Sequence, residues 1–114
     1  MIKIAVNGPI ALMKKYDWAD IHYALAHECL VSQESVEFYR DSSKFVILDN
    51  GADELGEGMR GTEYLRLVSE IQPDVVILPD VLSNGFETRE RGLQFLSEVA
   101  VLEHSYGVEY MAVI

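Results

Sequence analysis

Phe45-Val46-Ile47-Leu48-Asp49-Asn50-Gly51 and, about one β–α unit later, Val75-Val76-Ile77-Leu78-Pro79-Asp80 decide the fold. Each is an apolar run that closes on an aspartate. Such a run, rich in β-branched residues, reads as a strand buried on both faces, as in a parallel sheet. In α/β folds, chemistry collects at the carboxyl ends of these strands. Asp49 and Asp80, delivered to one rim, are therefore a candidate site.

The pattern on either side alternates strand and helix. Residues 2–6 read as a first strand, ended by Asn7-Gly8-Pro9. Residues 20–30 are ambiguous: Ile21, Tyr23 and Leu25 alternate like a strand face, whereas Ala24, Ala26 and Glu28 are good helix formers. The strand reading is preferred. Ser32 is placed to cap a short helix carrying Val36 and Tyr39. Thr62 is placed to cap another, in which Tyr64, Leu67, Val68 and Ile71 share one face. Pro73-Asp74 breaks that helix before the strand Val75–Leu78. A longer helix is predicted over 87–103 with Leu93, Leu96 and Ala100 facing in, followed by a last strand over 109–114.

Five β segments with helices between them make either a five-stranded open sheet or about the first five units of a (β/α)8 barrel. The terminal Tyr110-Met111-Ala112-Val113-Ile114 is apolar and should be sheet core, whereas domain ends are usually polar. Either the same fold continues, or a short protein ends flush with its last strand. The expectation is a single α/β domain over 1–114, the N-terminal part of a larger, incomplete TIM-like barrel.

Composition narrows the classes. A hydrophobic share of 49% against 25% charged residues indicates a globular chain rather than a disordered one. A formal net charge of −10 argues against a broad phosphate-binding surface. The apolar runs are too short to span a membrane. Met1-Ile2-Lys3-Ile4-Ala5-Val6 enters a strand-like run without a signal-peptide layout, and Cys29 is the single cysteine. Together these favour a cytoplasmic protein without disulfides or a cysteine-built metal site.

Two constellations carry chemistry. In Asp49-Asn50-Gly51-Ala52-Asp53-Glu54-Leu55-Gly56-Glu57-Gly58 a strand-ending aspartate precedes a glycine that lets a ligand or loop approach, then an acidic and mobile loop. The pattern fits a substrate-binding carboxylate and equally an ordinary βα turn. In Pro79-Asp80-Val81-Leu82-Ser83-Asn84-Gly85 the proline stiffens the rim, and Asp80 fits either a ligand or a helix cap. Oxygen ligands from Asp49, Glu54 and Asp80 would suit magnesium, yet no spaced ligand motif supports a metal, and neither metal nor cofactor is expected. His22 and His27 flank Tyr23, and His27, near the end of that strand, is the better candidate to line the rim. His104 is expected in water late in a helix, and Glu87, Arg89, Glu90 and Arg91 on a solvated helix face.

The segments Leu48-Asp49-Asn50-Gly51-Ala52, Glu54-Leu55-Gly56-Glu57 and Leu78-Pro79-Asp80-Val81-Leu82, with Asp20 to His27, resemble the tRNA-guanine transglycosylase superfamily. The phage and archaeal branches, which place 7-deazaguanines in tRNA or DNA, are the most similar in look. The resemblance covers most of residues 20–114. It implies a (β/α)8 barrel that exchanges a guanine base through a glycosyl–aspartate intermediate. Asp49 matches the aspartate of the family's Asp-Ser-Gly-Gly motif, which reads the base and handles protons. Asn50 and Gly51 match the next two positions, and Ala52 replaces the second glycine. Asp80 matches the aspartate that recognises the guanine edge, a task suited to a carboxylate because it accepts from ring N–H and exocyclic amine together. Met111–Ile114 match the strand leading to a Gln-Gly pair.

The family's nucleophilic aspartate and its cysteine-built zinc site have no counterpart here. The resemblance therefore implies the base-recognition half of such an enzyme, with Asp49 catalytic and Asp80, Asn50, Gly51 and His27 contacting the base. It implies guanine or a 7-deazaguanine as ligand, tRNA or DNA as the larger partner, and no base exchange by this chain alone. A homo-oligomer or a completing chain would close the barrel. Two alternatives remain. One is a receiver-like signalling domain phosphorylated at Asp80, although Asn7-Gly8-Pro9 stands where that fold needs an acidic pair. The other is a non-catalytic interaction protein built on a half-barrel.

Overall fold

Five parallel strands lie side by side in the order in which the chain makes them. They are β1 (Ala5–Val6), β2 (Ile21–Leu25), β3 (Phe45–Asp49), β4 (Val75–Ile77) and β5 (Glu109–Met111). The helices are α1 (Ile10–Lys15), α2 (Ala26–Leu30), α3 (Gln33–Arg40), α4 (Ala52–Leu55), α5 (Thr62–Ile71) and α6 (Gly85–Val99). The structure is a computed structural model and describes residues 1–59, 61–101 and 107–113, without the side chains of Asp53 and Glu54.

The sequential order has a physical consequence. Right-handed crossovers that always step the same way place every helix on the same side of the sheet. Register separates the two faces. Val46, Leu48 and Val76 lie level with His22, Ala24 and Tyr110 on one face. Ala24, Val46, Leu48 and Val76 form one core cluster with Val36 and Tyr39 of α3, Tyr64, Leu67, Val68 and Ile71 of α5, and Phe95 and Val99 of α6. The opposite face carries Ile21, Tyr23, Leu25, Phe45, Ile47, Asp49, Val75, Ile77 and Met111. Among the described residues none of these joins the cluster. The expectation of strands buried on both faces holds for Ile77 of β4, at 3% exposure, and is corrected for Phe45 of β3, which remains 46% exposed.

The local signals are borne out where they depended on one face. Ser32 caps α3, its Oγ accepting from the Ser35 N–H at 3.2 Å. Val36 and Tyr39 are buried, as are the four expected residues of α5. Thr62 is the first residue of α5 rather than its cap, a place taken by Gly61 at φ 79°. The strand reading of 20–30 holds for Ile21–Leu25 only, because the chain turns helical at Ala26.

The inward face of α6 is also corrected. Gly92, Phe95 and Val99 are its buried residues, while Leu93 is 50% and Leu96 38% exposed. The helix starts at Gly85 behind an Asn84 cap, whose Oδ1 accepts from Glu87 N–H at 3.0 Å. The helix ends at Val99 with Ala100 as its C-cap, short of the expected end at Glu103; Glu103 and His104 themselves lie outside the described residues. So does Ile114; of the apolar terminus before it, Tyr110 packs against the core, whereas β5 stops at Met111 and Val113 is 45% exposed. No helix among the described residues is long and apolar enough to cross a membrane.

Candidate functional site

The carboxyl ends of β3 and β4 are joined through buried polar groups. Asn50, fully buried, follows β3 directly. Its side-chain amide donates to the Leu78 carbonyl at 2.7 Å and to Asp80 Oδ1 at 2.6 Å. Its Oδ1 accepts from the Ala52 N–H at 2.9 Å. Beneath this layer the Tyr64 hydroxyl donates to the Ile77 carbonyl at 2.6 Å and approaches the Leu48 carbonyl at 3.3 Å. Burial, then the negative field of Asp49, pushes the Tyr64 hydroxyl well above its usual range, so it remains a donor.

The acidic loop after Asp49 is tied to the strand ends by hydrogen bonds. It begins as the short helix α4, entered through Gly51 at φ 78° and left through Gly56 at φ 85°. Glu57 then pairs with Val81 in an antiparallel bridge. The Gly58 N–H donates to the Asp80 carbonyl at 2.6 Å and the Met59 N–H to the Asn50 carbonyl at 2.8 Å. Gly58 is needed for its size: a Cβ there would lie 2.6 Å from the Asn50 amide carbon and 2.9 Å from the Asp80 nitrogen. Arg91 of α6 completes the seam. Its Nη2 meets Glu57 Oε2 at 2.9 Å and its Nε meets Glu87 Oε1 at 3.0 Å, with only 9% of the side chain exposed. The expectation that the 87–91 charges share a solvated face is therefore wrong for Arg91, while Arg89 and Glu90 form an exposed pair.

Asp49 and Asp80 occupy different sides of this seam. Asp49 is half-buried at a position that belongs to the helix-free face, level with Leu25. Its Oδ2 accepts from the Gly51 N–H at 3.3 Å. Asp80 is 7% exposed, with one carboxylate oxygen taken by Asn50. His27, in the first turn of α2, is half-buried and rests against Gly51: a Cβ on Gly51 would lie 2.7 Å from His27 Nδ1. That Nδ1 is buried and has no hydrogen-bond partner among the described residues. It is a buried imidazole nitrogen packed against the glycine that follows the strand-end carboxylate, a polar group left without a protein partner among the described residues.

The structure thus brings His27, Asp49 and Gly51 together at the rim and sets Asn50 and Asp80 behind them as a clamp. His22 does not line the rim. It lies on the helix-covered face near the opposite end of β2, 2% exposed and stacked on Phe38 at 5.0 Å. The side chain of Glu54 lies outside the described residues. Among those described, no three His, Cys, Asp or Glu side chains come together as a metal cluster. Sequence reasoning missed Tyr64 and Gly58 as parts of the seam. Tyr64 was visible only as a core position, and Gly58 only as one of several glycines in the loop. No family model, curated protein or solved structure matches this chain.

Proposed function

We propose that the chain is a purine-binding half-barrel, resembling the base-recognition half of a guanine or 7-deazaguanine transglycosylase that acts on tRNA or DNA. The observation that carries this reading is the rim triad. Asp49 ends β3 on the helix-free face, Gly51 turns the chain away at positive φ, and the unpartnered Nδ1 of His27 stands beside it. A carboxylate accepts two N–H groups from the guanine edge, and the imidazole supplies a further polar contact. The sequential parallel order with helices on one side is what one arc of a (β/α)8 barrel requires, and such barrels bind ligands at the carboxyl ends of their strands. Asp80 would steady the rim from behind through Asn50. With no residue matching the family's nucleophile, the isolated chain binds the base without exchanging it.

Calorimetric titration of the chain with guanine and 7-deazaguanine tests this. Saturable binding is expected, weakened about tenfold or more by Asp49→Asn, which leaves volume unchanged and converts an acceptor into a donor. Absence of binding, or equal binding by the variant, overturns the reading. Base exchange into tRNA or DNA by the chain alone would overturn the inactive half of it.

One alternative has a specific observation behind it. The helix-free face, with Phe45 and Met111 exposed, suits a non-catalytic interaction protein. Light scattering separates the readings, since a clean monomer counts against an interaction built on self-pairing. The receiver alternative loses ground, because that fold orders its strands 2-1-3-4-5 rather than in sequence.

A further inference from the structure

At the amino-terminal ends of β2 and β3, opposite the rim, three side chains form one hydrogen-bonded line. Asp17 Oδ1 lies 2.9 Å from His22 Nε2, and His22 Nδ1 lies 2.7 Å from Ser42 Oγ. The Lys44 N–H also points at Ser42 Oγ, at 3.0 Å. With a neutral imidazole these contacts fit one arrangement of protons, whereas a protonated ring would donate from both nitrogens. The Asp17 carboxylate accepts from Nε2–H, so Nδ1 holds the lone pair. Ser42 must then donate its hydroxyl proton to Nδ1, while its oxygen accepts from Lys44 N–H. The imidazole is 2% exposed and is held by Phe38 and Tyr39, so its orientation is preset. Asp17, at 37% side-chain exposure, and the half-buried Ser42 remain open to a cavity of about 410 Å³ that all three residues line.

From this geometry we infer that Ser42 is an activated nucleophile for acyl transfer, with His22 as its general base and Asp17 as the group that orients and charge-balances His22. The logic is that of a serine hydrolase triad, with the two imidazole nitrogens in exchanged roles. The substrate class follows from the walls. Glu34, Glu37 and Asp41 join Asp17 around the cavity; Lys14 pairs with Glu34 at 2.8 Å and Arg40 with Asp41 at 3.1 Å, so the walls keep a smaller net negative charge, and Phe38 offers a ring. An ester bearing a positively charged group fits that surface.

The step balances as follows. Ser42 Oγ forms a bond to the ester carbonyl carbon, the carbonyl π electrons move to oxygen, and the hydroxyl proton passes to His22 Nδ1. Collapse of the tetrahedral species breaks the bond to the alkoxide, which takes the proton from Nδ1. Water then attacks the acyl-serine, gives its proton to Nδ1, and releases the acid as the Ser42 hydroxyl is restored. This site is independent of the rim and of the base-binding reading.

The test is labelling of the whole chain with a fluorophosphonate probe, read by peptide mass mapping, alongside hydrolysis of p-nitrophenyl acetate and of a choline ester. A single adduct on Ser42 is expected, abolished in Ser42→Ala and slowed about tenfold or more in Asp17→Asn, with unchanged circular dichroism in both. Faster turnover of the choline ester than of its neutral isostere is expected. No adduct, an adduct on another serine, or equal labelling of the Asp17→Asn variant overturns the proposal. Preference for the neutral ester overturns the substrate class.

Discussion

The side-chain amide of Asn50 reaches the Asp80 carboxylate at 2.6 Å, across the gap between β3 and β4, with both groups buried. Sequence spacing paired Asp49 with Asp80. The fold instead pairs Asp80 with the residue after Asp49, and so gives the two aspartates different surroundings. Replacing Asn50 by Ala removes three hydrogen bonds and leaves Asp80 with a buried, unmatched oxygen. A loss of about 2–4 kcal/mol is expected in urea unfolding. Asn50→Asp would set two carboxylates against each other. Each would be harder to ionise in the native state, so stability should rise as pH falls through the carboxylate range.

Tyr64→Phe keeps the ring and deletes the hydroxyl that bonds to the Ile77 carbonyl. The expected loss is about 1–2 kcal/mol with no change in the urea slope, since no cavity opens.

Gly51 and Gly58 are predicted to fail differently as alanines. Gly58→Ala drives a methyl group into the Asn50 amide and a backbone nitrogen, neither free to move, and should cost about 2–4 kcal/mol. Gly51→Ala meets a positive φ and the movable His27 ring, and should cost about 1–2 kcal/mol. Its diagnostic sign is a shift of the His27 ring resonances in NMR spectra, which Gly58→Ala should largely spare.

The helices and strands were legible wherever a single apolar stripe existed. Phe45–Asp49 and the Tyr64, Leu67, Val68, Ile71 face of α5 each had one, and the Ser32 cap had its own chemistry. α6 has two neighbouring stripes, Leu93–Leu96 and Gly92–Phe95–Val99, about one residue's rotation apart. Periodicity cannot choose between them without knowing where the sheet lies. Ala26–Leu30 was lost because alanines and an alternating strand run into a helix without punctuation. Of the site, the strand-end aspartate, its glycine and His27 could be read. The Asn50 clamp and the line from Asp17 to Ser42 could not, because they depend on register between strands that local pattern does not specify.

Cys29 is buried, and burial, reinforced by the charge of Glu28, pushes its thiol up to about 12 from 9.0. Burial likewise raises Tyr39 to about 12 from 10.0. Between pH 9 and 12 the native thiol keeps its proton while the unfolded one has lost it. Stability contributed by these groups is therefore present below pH 9 and falls as pH rises toward 12. Chemical denaturation at stepped alkaline pH should show that decline, reduced in Cys29→Ala. At neutral pH, Ellman's reagent should modify Cys29 only at the rate of unfolding.

Two residues of β3, three positions apart and therefore on opposite faces, should report the one-sided layering. Leu48→Ala, on the helix-covered face at 0% exposure, is expected to cost about 2–5 kcal/mol. Phe45→Ala, on the other face, should cost under about 1 kcal/mol despite removing more carbon.

A sheet dressed on one side only also governs how copies of the molecule behave in company. At high concentration, the undressed side of a neighbour, with Phe45 and Met111 bare, is one greasy surface each copy meets. The formal charge of −10 is the force that holds neighbours apart. Salt weakens that repulsion and leaves the attraction intact, so the chain should salt out early and take up hydrophobic dyes while still native. Its shelf life would then be set by colloid physics before heat has any say.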